Sequence, residues 1–187
     1  AASRMQVLID DLLTYSKAST LEQEFKKVDL GKVFAEIQLS HYDTIREIKA
    51  EIETSNLPVI DGVPFQVMQL FDNLLGNALK FTAENRIPQV SITSRNVAAG
   101  DFAGYPELDP GKKYIELIVQ DNGIGFNQIY EQKIFQIFQR LNNRAAYEGT
   151  GIGLALCNKI AINHKGCIRA VGMPDEGAVF TVVLPAV

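Results

Sequence analysis

The apolar positions of this 187-residue chain change their spacing several times, and each change marks an element. Near the start, Met5, Leu8, Leu12 and Tyr15 fall at alternating steps of three and four, the seam of a helix that packs in a bundle or coiled coil. After the polar break STLEQE, FKKV reads as a short strand, and Asp29 stands where an N-cap would open an amphipathic helix running to about Arg46. IKAEIET, which alternates at period two, and LPVIDG follow as two extended pieces. The pattern over 63–83 predicts a long helix. QVSITSRNV and KYIELIVQD then read as two antiparallel strands, joined by AAGDFAGYPELDPGK, a loop long enough to be a variable surface insertion. A further helix is predicted over about 151–165, and CIRAVGM with AVFTVVLP closes the chain as a hairpin around PDEG.

Strands and helices do not alternate as a doubly wound sheet requires. The order instead predicts an α+β architecture, with helices layered on one face of a mixed sheet. The chain has no internal repeat and no low-complexity segment. The opening seam lacks a capping pattern and a preceding partner helix, so it reads as part of a longer helical hairpin cut by the start of the chain, with an amphipathic helix packed on its own domain as the alternative.

With 47% hydrophobic and 21% charged residues, the chain has the makeup of a folded protein with a real core. A formal net charge of -4 argues against a surface that neutralises nucleic acid or an anionic membrane, so no nucleic-acid or membrane contact is expected and any phosphate must be met locally. Cys157 and Cys167 form no CxxC pair and have no histidine at metal-ligand spacing; they read as ordinary thiols in a reducing compartment. Without a run of about 20 apolar residues or a basic-then-apolar leader, the segment is expected to be cytoplasmic, whatever anchors a larger protein.

Three stretches carry candidate chemistry. In YEGTGIGLALC, Gly149, Gly151 and Gly153 precede an apolar helical pattern, and backbone that bare lets N–H groups approach a ligand at the positive end of a helix, where phosphate binds well. No strand leads into these glycines as in a Rossmann fingerprint, and the Gly-Lys-Ser/Thr ending of a P-loop is missing. Taken alone, the stretch reads equally as a flexible loop before a helix. In QDNGIGF, Asp121 ends a strand and Gly123 and Gly125 make a turn; a carboxylate there suits an exocyclic amine such as that of adenine, although Asp-Asn-Gly is also a common turn. In LFDNLLGNALKFT, Asn73, Asn77 and Lys80 share one helical face opposite Val67, Leu70, Leu74, Leu75 and Ala78. Two amide oxygens and an ammonium suit a hydrated Mg²⁺ on a polyphosphate, while simple solvation would explain that face alone.

In this order the stretches resemble the ATP-binding domain of sensor histidine kinases, within the superfamily that also holds gyrase, heat-shock chaperone and mismatch-repair ATPases. DNLLGNALKFT resembles the family's N box, DNGIGF its G1 box, KIFQIFQRL its F box and GTGIGLAL its G2 box, with the usual ending in GAVFTVVLP. The resemblance covers nearly the whole chain. It implies a two-layer α/β sandwich of the Bergerat type, three helices on a mixed sheet, over residues 23–187, preceded in 1–22 by the end of a dimerisation and phosphoacceptor hairpin and a linker.

The resemblance also implies roles. Asn77 would be the Mg²⁺ ligand, Asn73 would lie near the metal or phosphates, and Lys80 would contact phosphate. Asp121 would bind the adenine amine, with Gly123 and Gly125 shaping that end. Phe135 and Phe138 would anchor a lid over roughly 127–150, in which Arg140 is a candidate phosphate contact. Gly149, Thr150, Gly151 and Gly153 would hold phosphates, with Leu154 packed beside them. Members that hydrolyse ATP resemble one another in having Glu where Asn73 stands; Asn cannot take a proton, and Asp72 is turned about 100° around the helix. Little intrinsic hydrolysis is therefore expected. Catalysis would rest on positioning and electrostatics, with Asn73 and Lys80 foremost.

The family's acceptor is a histidine on the first hairpin helix, followed by an acidic residue. His41 is followed by Tyr42 and lies within the ATP domain; His164 falls at a helix end, before Lys165 where Gly is usual, and reads as structural. The chain is thus expected to bind ATP and Mg²⁺ without labelling itself, its γ-phosphate going to a histidine upstream and then to a receiver-domain aspartate of a response regulator. A homodimer would form through the complete hairpin. An ATP-hydrolysing machine of the same superfamily and a degenerate docking module are the alternatives.

Overall fold

The computed structural model describes residues 24–141 and 149–186, together with residues 6, 8, 9, 12, 13, 15 and 16, which are helical. Met5 of the opening seam, the expected boundary near residue 22 and residues 142–148 of the expected lid lie outside the described residues. Leu12 of the seam is 48% exposed. Tyr15 packs against the main core.

In chain order, β1 (Lys26–Asp29) leads into α1 (Leu30–Ser40) and the short α2 (Tyr42–Glu47). β2 (Glu51–Ser55) and β3 (Val59–Gly62) precede α3 (Pro64–Lys80). β4 (Gln89–Asn96) and β5 (Tyr114–Asp121) follow, then α4 (Glu131–Ile134), α5 (Gly153–Asn163), β6 (Cys167–Met173) and β7 (Gly177–Pro185). The main sheet runs β2-β4-β5-β7-β6. β2 lies parallel to β4 and the other pairs are antiparallel, so the sheet is mixed, as the element order predicted. β1 and β3 form a separate antiparallel ribbon.

Alternation along the strands sends one set of side chains to the helices. Val90, Ile92, Leu117, Val119, Phe180, Val182 and Ile168 meet Phe34 and Ile37 of α1, the stripe Val67, Leu70, Leu74, Leu75 and Ala78 of α3, and Leu156 and Ile160 of α5 in one core. Asp29 caps α1, its carboxylate accepting the Lys32 N–H at 3.3 Å. The helix expected to reach Arg46 breaks at His41. Ser40 Oγ bonds the Ile37 carbonyl at 2.8 Å, competing with the helical ladder. His41 reaches across to Asp72 Oδ1 at 2.9 Å.

α3 also ends earlier than the periodicity suggests, at Lys80 rather than residue 83. The Phe81 N–H still bonds Asn77, but its carbonyl accepts the Ile124 N–H at 2.9 Å, drawing the chain toward the turn after β5. The expected surface insertion is a cap on the sheet's outer face. A 3₁₀ turn at Ala99–Gly104 brings Phe102 and Tyr105, with Leu108, onto Tyr114, Cys167 and Val183. Arg95 binds Asp101 at 2.8 Å, Arg169 binds Glu107 at 2.9 Å, and Tyr105 donates to the buried Glu116, which also pairs with Arg95.

His164, at the end of α5, is 1% exposed. Its Nδ1 donates to the Ile160 carbonyl at 2.8 Å, and its Nε2 accepts the N–H of Val63, the N-cap of α3, at 3.0 Å. The Phe25 ring lies over it, centroids 5.0 Å apart. This arrangement requires the neutral imidazole, and burial lowers its pKa, opposed by the bond to Ile160. The resulting stabilisation is fully present above the unfolded value of about 6.5 and lost as pH falls through the lowered folded value. Thermal melts should show the melting temperature falling from roughly pH 7.5 to roughly pH 5.5, the window set by that unfolded value. His164→Asn should be less stable at neutral pH by about 1–3 kcal/mol and should lose most of that pH dependence; equal slopes in both proteins would contradict the assignment.

Candidate functional site

α3 buries its apolar stripe and so must turn its other face away from the core. That face carries Asn73, Asn77 and Lys80 to the wall of a cavity of about 280 Å³. Asn73 Nδ2 donates to the Gln69 carbonyl at 2.8 Å, which orients the amide. Its Oδ1 faces the start of α5, 2.6 Å from where a Cβ on Gly153 would stand. Asn77 also lines the cavity and makes no side-chain hydrogen bond among the described residues. The Lys80 ammonium sits 4.7 Å from the Phe81 ring centroid. Asp72, one position from Asn73, is held by His41, so no carboxylate replaces the amide at that point.

Asp121 enters from the sheet. β5 is central, and pairing of Asp121 with Ala178 on β7 sets its position across the sheet. Its Oδ1 accepts the N–H of Gly123 at 2.8 Å and of Ala178 at 3.3 Å. With both bonds on one oxygen, Oδ2 remains as an acceptor for a ligand. Burial raises the carboxyl pKa above the usual carboxylate range, and the two backbone N–H groups oppose that shift. The same cavity is lined by Phe126, Ile134, Ala178 and Phe180, an apolar lining suited to a planar base.

Gly149, Thr150 and Gly151 close the other side with Gln139, Arg140 and Leu141. The Phe138 N–H donates to the Gly151 carbonyl at 2.9 Å, and Arg140 Nη1 donates to the Gly149 carbonyl at 3.0 Å, so the two ends of the intervening segment meet. This closeness needs glycine. Gly151 has φ +76°, and a Cβ there would lie 2.8 Å from the Gln139 carbonyl oxygen; Gly149 has φ +144°, and a Cβ would lie 2.8 Å from Lys80 Nζ.

Of the residues singled out in sequence, Asn73, Asn77, Lys80, Asp121, Gly125, Arg140, Gly149, Thr150, Gly151 and Leu154 line this one cavity. Gly123 and Gly153 stand behind it, against Asp121 and Asn73. Phe138 points elsewhere: it is 56% exposed, with φ +65°. Phe135 packs against the core. The sequence reading missed the apolar lining, above all Phe126, Ile134, Leu141 and Phe180, because these residues look like ordinary core positions and carry no polar signal.

The family model for histidine kinase-, DNA gyrase B- and HSP90-like ATPases matches residues 62–187. Over 184 residues the chain is 38% identical to phytochrome-like protein Cph1 of Synechocystis sp., covering 98% of this chain and 22% of that protein. The chain thus spans about a fifth of this relative's length. Among solved structures, full-length ShkA in complex with AMPPNP superposes with a TM-score of 0.74 at 23% identity, over 96% of this chain and 35% of that one. Histidine kinase ThkA in complex with the response regulator TrrA gives a TM-score of 0.70 at 21% identity, over 100% of this chain and 48% of that one.

Adding a Cβ at Gly151 forces the left-handed conformation on an L side chain and drives it into the Gln139 carbonyl. Gly151→Ala should lower the unfolding free energy by about 1–2 kcal/mol in denaturant titration. Gly100→Ala, whose Cβ would meet nothing within 4 Å, should stay within about 0.5 kcal/mol of wild type. Equal effects at the two positions would remove the close approach from the account.

Proposed function

The chain belongs to the family of histidine kinase-, DNA gyrase B- and HSP90-like ATPases, and from that premise we propose that it is the ATP-binding kinase portion of a two-component sensor histidine kinase. The observation that carries the reading is the meeting of Asp121, the Asn73–Asn77–Lys80 face and the glycine-rich segment around a single cavity. In this reading Asp121 accepts a hydrogen bond from the adenine amine, and Phe126 and Phe180 flank the base. Lys80 and Arg140 meet the phosphates. Gly149, Thr150 and Gly151 line their path to the start of α5, whose dipole favours negative charge.

The donor set fits Mg²⁺, an ion that takes few protein oxygens and shares those of the phosphates. Asn77 would hold it, with the oriented Asn73 amide nearby. When bound, it would neutralise phosphate charge. Among the described residues there is no cluster of three or more His, Cys, Asp or Glu suited to a metal.

Asn73 cannot accept a proton from water, and the neighbouring Asp72 is engaged by His41. The γ-phosphoryl group is therefore kept for another acceptor. Neither histidine suits that role: His41 lies within the ATP-binding unit and is followed by Tyr42, not by an acidic residue, and His164 is buried with both ring nitrogens bonded. The proposed acceptor is a histidine outside residues 1–187, on a helical hairpin that also forms a homodimer, with onward transfer to the aspartate of a response-regulator receiver domain. A cytoplasmic location belongs to the same proposal. No helix among the described residues is long and apolar enough to cross a membrane.

Calorimetry with Mg²⁺ and a non-hydrolysable ATP analogue should give saturable binding. Asp121→Asn, which turns one acceptor oxygen into a donor facing the adenine amine, should weaken it by about 100-fold, as expected when a buried charged hydrogen bond is lost. Phosphate release should stay near background. Unchanged affinity in Asp121→Asn would sink the adenine assignment; rapid turnover would favour a hydrolytic member of the family.

A further inference from the structure

Arg86 lies in the loop between α3 and β4 and belongs to none of the motif stretches. Its Nη2 donates to the Gly123 carbonyl at 3.2 Å and to the Asp175 carbonyl. Gly123 is the residue whose N–H holds Asp121 Oδ1 at 2.8 Å. Asp175, in the turn between β6 and β7, sends its own N–H to the Ile124 carbonyl at 2.8 Å. Ile124 in turn donates to Phe81 at the end of α3. One guanidinium thus joins three segments around the turn that follows Asp121. Asn122 fastens the same loop from the other side, donating to the Ile87 carbonyl and accepting the Gln89 N–H, both at 2.9 Å.

Two carbonyl oxygens converging on one nitrogen repel each other unless a donor lies between them, and a cationic donor makes the stronger bond. We infer that Arg86 is a positioning residue for nucleobase selectivity: by drawing the Gly123 and Asp175 carbonyls together it holds the turn that aims Asp121 at an exocyclic amine. The inference rests on reading the cavity as a nucleotide site. Arg86 itself does not line that cavity. Its loss should loosen recognition of the base while leaving the phosphate contacts of Asn77, Lys80 and the glycine segment in place.

The test compares ATP with inosine triphosphate, which carries identical phosphates but a carbonyl oxygen where adenine has its amine. Dissociation constants are measured by calorimetry for the wild-type chain, Arg86→Met and Arg86→Lys, with melting temperatures as a folding control. Wild type should prefer ATP. Arg86→Met keeps the aliphatic stem and removes every donor; it should reduce the preference about tenfold through weaker ATP binding, with inosine triphosphate affinity changed by less than about twofold, the scale of coupling within one hydrogen-bond network. Arg86→Lys has one ammonium to share between two carbonyls and should fall between wild type and Arg86→Met.

An unchanged preference in Arg86→Met overturns the inference. Equal weakening of both nucleotides also overturns it, since that is the mark of a merely structural loss. Should Arg86→Met not fold, Arg86→Lys decides alone: reduced preference supports the positioning role and wild-type preference overturns it. A wild-type chain that binds neither nucleotide fails at the underlying reading instead, a result distinct from unaltered selectivity in the variants.

Discussion

α3 has two obligations that fix it in rotation. Its apolar side fills the centre of the core with Leu70, Phe71, Leu74 and Leu75, all essentially inaccessible to solvent. Rotation that exposed this stripe would forfeit about 1.5–3 kcal/mol for each large side chain returned to water. Because the core locks the helix, the opposite side is locked too, and Asn73, Asn77 and Lys80 are held toward the cavity without a framework of their own. The geometry of the candidate site is here a by-product of packing. The same packing brings α5 alongside α3, so that the Asn73 amide faces the first turn of the second helix.

The polar groups of the site are arranged by what is left unsatisfied. Asn73 spends its amide nitrogen on its own helix and keeps its oxygen. Asp121 places both backbone bonds on one oxygen and keeps the other. Its burial makes the charged form costly, and the two N–H groups offset part of that cost. A carboxylate so placed gains most from a ligand that donates a hydrogen bond and excludes water, which is what an adenine amine against Phe126 and Phe180 would do. Asp72 shows the complementary case: its bond to His41 directs the carboxylate away from the place where a general base would be needed.

The sheet serves both of its faces. Toward the helices it is apolar and positions Asp121 at the end of a central strand. On its outer face, the segment after β4 adds a second small core, in which Glu116 is buried with Tyr105 and Arg95 as partners. A buried carboxylate needs such partners. The alternation along β5 therefore places Leu117 and Val119 in the main core and Tyr114 and Glu116 under the cap. Strand periodicity alone predicts two faces, but not that both will be covered.

The spacing of apolar residues determined the element order and the two-faced character of α3, because these follow from the fixed periods of helix and strand. The N-box, G1-box and G2-box patterns were equally legible, since glycines and carboxamides at fixed spacing are local properties. What the linear pattern left undetermined depends on partners remote in sequence. The break at His41 reflects an aspartate 31 positions away; the end of α3 answers to the N–H of Ile124; and the neutral state of His164 depends on Val63, 101 positions earlier. Phe126 and Phe180 resemble core residues until the fold leaves a cavity beside them. Only the tertiary structure could decide these points, because a hydrogen bond or a wall of a cavity is specified by two segments meeting, and neither segment alone encodes the meeting.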